Sequence, residues 1–231
     1  MPDNAHDIKT AYQKICAEIS APPEATLEAK LEAKLEAKPI TLLAVSKQVA
    51  AAQVRVLLEC GHRHFGENRV QEAVQKWTPL KADYPAIELH LIGALQSNKV
   101  KEAAALFDVI ETLDRPRLAA ALARLRDSGV ALPRLFVQVN TGNEAQKAGV
   151  ALNEAGAFIE QCRHDYGLTI EGLMCLPPYD TPPAPHFMQL ATLAQAHNIA
   201  HLSMGMSGDY GIAIACGADI IRIGTALFGS R

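Results

Sequence analysis

No stretch of this 231-residue sequence approaches the roughly 18 uncharged apolar residues that a membrane-crossing helix needs, so no transmembrane segment is expected. The opening residues, Met-Pro-Asp-Asn-Ala-His-Asp, lack the basic flank and apolar core of a signal peptide, and the expected location is the cytoplasm. Charge of one sign is missing too. Twenty-two Lys and Arg stand against 25 Asp and Glu, a formal charge of -3, and no segment gathers enough cations to neutralise a run of phosphates. Neither nucleic acid nor a membrane is an expected partner. The five cysteines (Cys16, Cys60, Cys162, Cys175, Cys216) are odd in number, scattered and never spaced C-x-x-C, which removes a disulfide framework and a structural zinc site from consideration.

What remains is the make-up of an ordinary soluble domain, with 49% apolar and 20% charged residues. Residues 1–231 are read as one domain, a helical segment over 1–39 followed by an α/β body over 40–231. Ile8, Tyr12, Ile15, Cys16 and Ile19 fall at helical spacing and predict an amphipathic helix ending near Pro22 and Pro23. Leu-Glu-Ala-Lys then occurs three times over 27–38, a run of strong helix formers stopped by Pro39 and read as a solvated helical spacer.

From Ile40 the pattern alternates short β-rich runs with helical ones. Strands are predicted over 40–47, 63–67, 87–93, 108–113, 134–140, 169–176, 200–204 and 219–223, with helical periodicity between them, for example over 54–60, 70–77, 118–125 and 151–162. Runs such as Leu-Leu-Ala-Val and Leu-Phe-Val-Gln-Val read as strands covered on both faces. Eight such units predict a (β/α)8 TIM-type barrel, with the amino-terminal helix packed where an eighth helix would otherwise lie; an open doubly wound sheet is the competing architecture.

In a parallel barrel the working residues sit at the carboxyl ends of the strands. The first strand delivers Ser46-Lys47. An amine at the mouth of an apolar barrel is partly desolvated, which favours the neutral form that attacks an aldehyde. The last two strands deliver Ser203-Met204-Gly205-Met206-Ser207 and Arg222-Ile223-Gly224-Thr225. Ser207 is read as opening a short helix, and its hydroxyl, the hydroxyl of Thr225 and the close approach allowed by Gly224 suit a phosphate. Arg222 lies in an apolar strand and points inward, where it needs either an interior carboxylate or an aromatic nitrogen on a ligand. His62-Arg63-His64 could offer two imidazoles to a metal, but with no third ligand at a telling distance no metal site is expected.

These residues resemble the pyridoxal phosphate homeostasis proteins, a family similar to the barrel domain of alanine racemase. The resemblance rests on Leu-Leu-Ala-Val-Ser-Lys47, Phe65-Gly66-Glu67-Asn68 with Val70-Gln71-Glu72, His90-Leu91-Ile92-Gly93 with Leu95-Gln96-Ser97-Asn98-Lys99, Ser203-Met204-Gly205-Met206-Ser207, and Arg222-Ile223-Gly224-Thr225-Ala226. It implies pyridoxal 5'-phosphate held as a Schiff base on Lys47, its phosphate on Ser207, Gly224 and Thr225, its pyridine nitrogen facing Arg222, with Asn68, His90 and Ser203 also counted in the site. An arginine at that nitrogen weakens the ring as an electron sink. The implied role is therefore a carrier in vitamin B6 homeostasis, supplying cofactor to apo-enzymes, rather than an enzyme. A racemase, and below it a Schiff-base aldolase, are the alternatives.

Overall fold

The computed structural model describes residues 4–20, 39–144 and 146–229. The Leu-Glu-Ala-Lys run lies outside the described residues. Helix α1 (Asn4–Ser20) comes first, followed by β1 (Thr41–Val45), α2 (Ala51–Glu59), β2 (His64–Glu67), α3 (Val70–Asp83) and β3 (Glu88–Leu91). A 3-10 turn at Ser97–Lys99 leads into α4 (Val100–Ala104), then β4 (Val109–Leu113), α5 (Pro116–Asp127), β5 (Arg134–Asn140), β6 (Val150–Ala151) and α6 (Leu152–His164). The chain closes with β7 (Ile170–Cys175), α7 (Pro183–Ala196), β8 (His201–Ser203), α8 (Tyr210–Ala215), β9 (Ile220–Ile223) and α9 (Thr225–Phe228).

Every strand pairing is parallel, and both β1–β9 and β4–β5 are paired, so eight strands close into a barrel and the open sheet is excluded. All eight predicted strands are present. The ninth, β6, is a two-residue strand hung on β5 at Val139 and Asn140, too short for hydrophobic periodicity to reveal. Helix α3 runs past the predicted end at Trp77 and through Pro79. Trp77 and Leu80 on its buried face are both fully covered, and that packing outweighs the hydrogen bond a proline cannot donate.

Two cores follow from the pleat. Outward-facing residues such as Phe65, Leu89, Ile110, Leu135, Val137, Leu173, Ile221 and Ile223 pack under the helices. The barrel interior holds a small apolar plug of Leu43, Val109, Phe136 and Ile220 with Ile92 against it. Helix α1 buries Ile8 and Ile15 and lies against α2 and α9, filling the position expected of an eighth helix. Tyr210 donates to Glu18 and ties α8 to α1 as well. No helix among the described residues is long and apolar enough to cross a membrane.

Phe136 spans the interior because Gly172 has no side chain: a Cβ there would sit 2.6 Å from the Phe136 ring. Gly172→Ala is expected to destabilise the fold by about 1–3 kcal/mol, the usual cost of overpacking, read as a lower urea midpoint with unchanged slope. Burial pushes the Cys162 and Cys175 thiols up from 9.0 to about 12. In the unfolded chain these thiols ionise first, so their contribution to stability is intact below pH 9 and lost as pH climbs toward 12. Alkylation of the native protein at about pH 8 should spare both until denaturant is added, whereas labelling at either in the native state would contradict their burial.

Candidate functional site

Strands β1 and β9 are neighbours in register, Leu43 opposite Arg222 and Ala44 opposite Ile223. The residues that follow them, Lys47 on one side and Gly224-Thr225 on the other, therefore emerge side by side at the carboxyl end of the barrel. They line one cavity of about 490 Å³ together with Asn68, Arg222, Ser207 and Gly208, walled by Val45, Ile92, Met174, Leu176 and Met206. Six of the eight residues expected at the site thus meet in one place. Among the described residues no aspartate or glutamate lines the cavity, while one guanidinium, one primary amine and two hydroxyls do.

Each lining group is held by its strand end. Lys47 is half-buried, and its predecessor Ser46 is locked: the Ser46 hydroxyl donates to Glu67 Oε1 at 2.7 Å. The same oxygen accepts Lys76 Nζ at 3.0 Å and Trp77 Nε1 at 2.9 Å, and Lys76 also donates to the Ser46 carbonyl at 2.7 Å. A buried carboxylate with three donors fixes the backbone immediately before Lys47. Gly93 lets β3 close on the next loop, since a Cβ there would fall 2.1 Å from the Asn68 carbonyl oxygen.

The loop after β8 departs from expectation. Ser207 does not open the helix; α8 begins at Tyr210, because the Asp209 carboxylate accepts the Met206 N–H at 2.5 Å and closes a turn first. Gly205 supports that turn at φ +89, with α8 so close that a Cβ would meet the one on Ala213 at 2.5 Å. Ser207 is left facing the cavity, where its Oγ accepts the Ala226 N–H at 3.4 Å and links the two loops.

Arg222 is 3% exposed. Its Nη1 donates to Ser203 Oγ at 2.8 Å and its Nη2 to the Cys175 carbonyl at 2.7 Å. Ser203 in turn donates to Glu111 Oε2 at 2.6 Å, so the interior carboxylate does exist, one hydroxyl removed from the guanidinium. His90 and Ser203 do not line the cavity. They lie beneath it, and His90 is gripped by Glu111 Oε1 at 2.6 Å through Nδ1 and by Glu88 Oε1 at 2.8 Å through Nε2. Burial pulls the His90 pKa down, but the two carboxylates outweigh it and leave it above the ordinary imidazole value. Burial likewise pushes Glu111 up, and His90 and Arg222 bring it below the ordinary carboxylate range.

Sequence reasoning missed Glu111, Glu67 and Lys76. Glu111 carried a usable signal, an acid inside the apolar strand Val109-Ile110-Glu111 with the interior Arg222 needing a partner. Glu67 lay within a motif already singled out, but its partners Lys76 and Trp77 come from the following helix.

Residues 28–231 match the family model described as alanine racemase, N-terminal domain. The pyridoxal phosphate homeostasis protein of Vibrio cholerae serotype O1 is 40% identical over 203 residues, covering 83% of this chain and 86% of that protein. The protein of the same name from Escherichia coli strain K12 is 36% identical over 201 residues, covering 83% and 86% respectively. Among solved structures, PipY of Synechococcus elongatus PCC7942 with pyridoxal phosphate bound superposes with a TM-score of 0.78 at 33% identity, covering 96% of this chain and all of that one. Alanine racemase of Bartonella henselae shares the fold, at a TM-score of 0.73 and 16% identity over 98% of this chain and 61% of its own. With a closed barrel, a strand-end lysine and a basic pocket already in view, these matches identify the chain as a member of the pyridoxal phosphate homeostasis proteins, within the alanine racemase N-terminal domain family.

Proposed function

We propose that this protein binds pyridoxal 5'-phosphate and serves in its intracellular homeostasis, as a cytoplasmic carrier that holds the cofactor and yields it to apo-enzymes. The observation that carries the reading is the composition of the cavity: two cationic side chains, two hydroxyls, no acid, and apolar walls. That set fits a flat, anionic aldehyde. When bound, the cofactor supplies an aldehyde with which a primary amine condenses reversibly, releasing water.

Lys47 is the amine positioned for that condensation. Ser207, Thr225 and the backbone at Gly224 would take the phosphate, which needs hydrogen-bond donors from both loops. Arg222 would face the ring nitrogen; a guanidinium keeps its charge and offers only donors, which would favour an unprotonated nitrogen. Val45, Ile92 and Met174 would cover the faces of the ring and keep water from the amine. Asn68 closes the side formed by β2 and β3.

Holding, rather than turnover, is favoured by what the lining lacks. Among the described residues Lys47 is the one lining side chain able to act as a base, and racemisation needs a base on each face of the substrate. None of the five tyrosines lines the cavity: Tyr210 donates to Glu18, Tyr12 packs edge-on against His62, and Tyr179, beyond β7, stands 98% exposed.

Borohydride reduction of the protein saturated with pyridoxal 5'-phosphate is expected to attach the label at Lys47, located by peptide mass. Label at another lysine, or none, overturns the assignment. Lys47→Ala should lose the covalent link and keep measurable affinity from the phosphate and ring contacts. Thr225→Val and Ser207→Ala should each weaken the phosphorylated aldehyde about tenfold or more, since a hydrogen bond to a charged group contributes about 1.5–3 kcal/mol. Binding of unphosphorylated pyridoxal should be untouched in both variants. Equal losses for the two ligands would place the phosphate elsewhere.

A further inference from the structure

The end of the barrel remote from the cavity carries a second cluster. Strands β2 and β3 set His64 opposite Glu88 in register, and His90 follows two residues along β3 on the same interior face. One ligand-capable atom from each of His64, Glu88 and His90 lies within 4.8 Å of the other two. His64 Nδ1 is 3.2 Å and His90 Nε2 2.8 Å from the same oxygen, Glu88 Oε1.

We propose that His64, Glu88 and His90 form a binding site for a divalent ion of the zinc type, separate from the cofactor cavity. Two imidazoles and one carboxylate are a donor set for zinc or cobalt(II), not for magnesium or calcium, which take oxygen. At metal–ligand bonds of about 2.0–2.2 Å, tetrahedral ligand atoms stand about 3.3–3.6 Å apart, so the two nitrogens would draw back slightly from Glu88 Oε1, at 3.2 and 2.8 Å now, and settle within their present 4.8 Å limit of each other.

The residues behind the ligands strengthen the assignment. Glu111 engages His90 Nδ1 at 2.6 Å, which turns Nε2 toward the cluster, the carboxylate–histidine pairing that orients metal-bound imidazoles. Arg134 holds Glu88 Oε2 at 2.7 Å and leaves Oε1 for the ion. The ion would take the place of the proton now shared between His90 and Glu88, so one proton leaves as it enters. His64, 40% exposed, gives access from solvent, while His90 is fully buried. Three protein ligands leave a fourth position for water. Because Glu111 also holds Ser203, and Ser203 holds Arg222, the same carboxylate that orients His90 bears on the floor of the cofactor cavity.

The rival histidine cluster among the described residues is on the surface, where Glu160 meets His197 at 2.7 Å and His164 at 3.3 Å. The test titrates the metal-stripped full-length protein with zinc by calorimetry and with cobalt(II) by visible absorption. Wild type should take one equivalent with the intense visible bands of tetrahedral cobalt. His64→Ala, whose side chain is partly exposed and so leaves the core intact, should weaken binding at least about tenfold and abolish the bands. Glu111→Gln should weaken it about 10–100-fold, as loss of a carboxylate behind a ligand does. His164→Ala should change nothing. An equivalent lost with His164 but retained in His64→Ala, or no stoichiometric binding by wild type, overturns the proposal.

Discussion

A guanidinium cannot be neutralised by losing its proton, so once Arg222 faces the interior of a closed barrel the rest of that interior must answer its charge. The answer is graded. Ser203 and the Cys175 carbonyl accept from the guanidinium directly, Glu111 supplies the negative charge behind Ser203, and His90 and Glu88 continue the alternation toward the other mouth. Placing a hydroxyl between guanidinium and carboxylate is significant. A direct ion pair would occupy the arginine's donors, whereas this arrangement compensates the charge yet leaves Arg222 lining the cavity.

The same logic organises the rim. Glu67 faces outward from β2 under α3, yet its role is exerted on β1, through Ser46 and Lys76. Two lysines are thereby distinguished by environment: Lys76 is committed to a carboxylate and a carbonyl, while Lys47 lines the cavity. Pocket and support come from different layers of the fold. The apolar walls and cations are contributed by the inner face of the strands, the hydrogen bonds that immobilise the strand ends by their outer face.

Much of the architecture was legible in the sequence because parallel strands buried on both sides are nearly uniform apolar runs, and eight of them were countable between helical segments. Lys47, Ser207, Arg222, Gly224 and Thr225 were legible because strand ends in such a barrel share a rim. What escaped was pairwise. Nothing in the spacing of His90 and Ser203 tells that Glu111 stands between them, since 21 and 92 residues separate it from those partners. His62-Arg63-His64 could have offered two imidazoles on one strand face, but β2 begins only at His64, so His62 lies outside the pleat that would have aligned them. His62 turns outward beside Phe65, where burial lowers its pKa to about 4, and the partners of His64 come from the adjacent strand. The start of α8 was misplaced for a local reason, the side chain of Asp209 capturing a backbone N–H that helix propensity does not foresee.

The seam between β1 and β9 joins the first strand of the barrel to the last. The cavity straddles that seam, drawing Lys47 from one bank and Gly224 and Thr225 from the other. During synthesis Lys47 is therefore made long before the opposite bank at Gly224 and Thr225. A nascent polypeptide has the amine but no cradle, and the two meet only when the ring of strands shuts. A ligand gripping both banks acts as a clasp across that joint, stabilising the finished barrel by mass action and leaving every shorter intermediate unaffected.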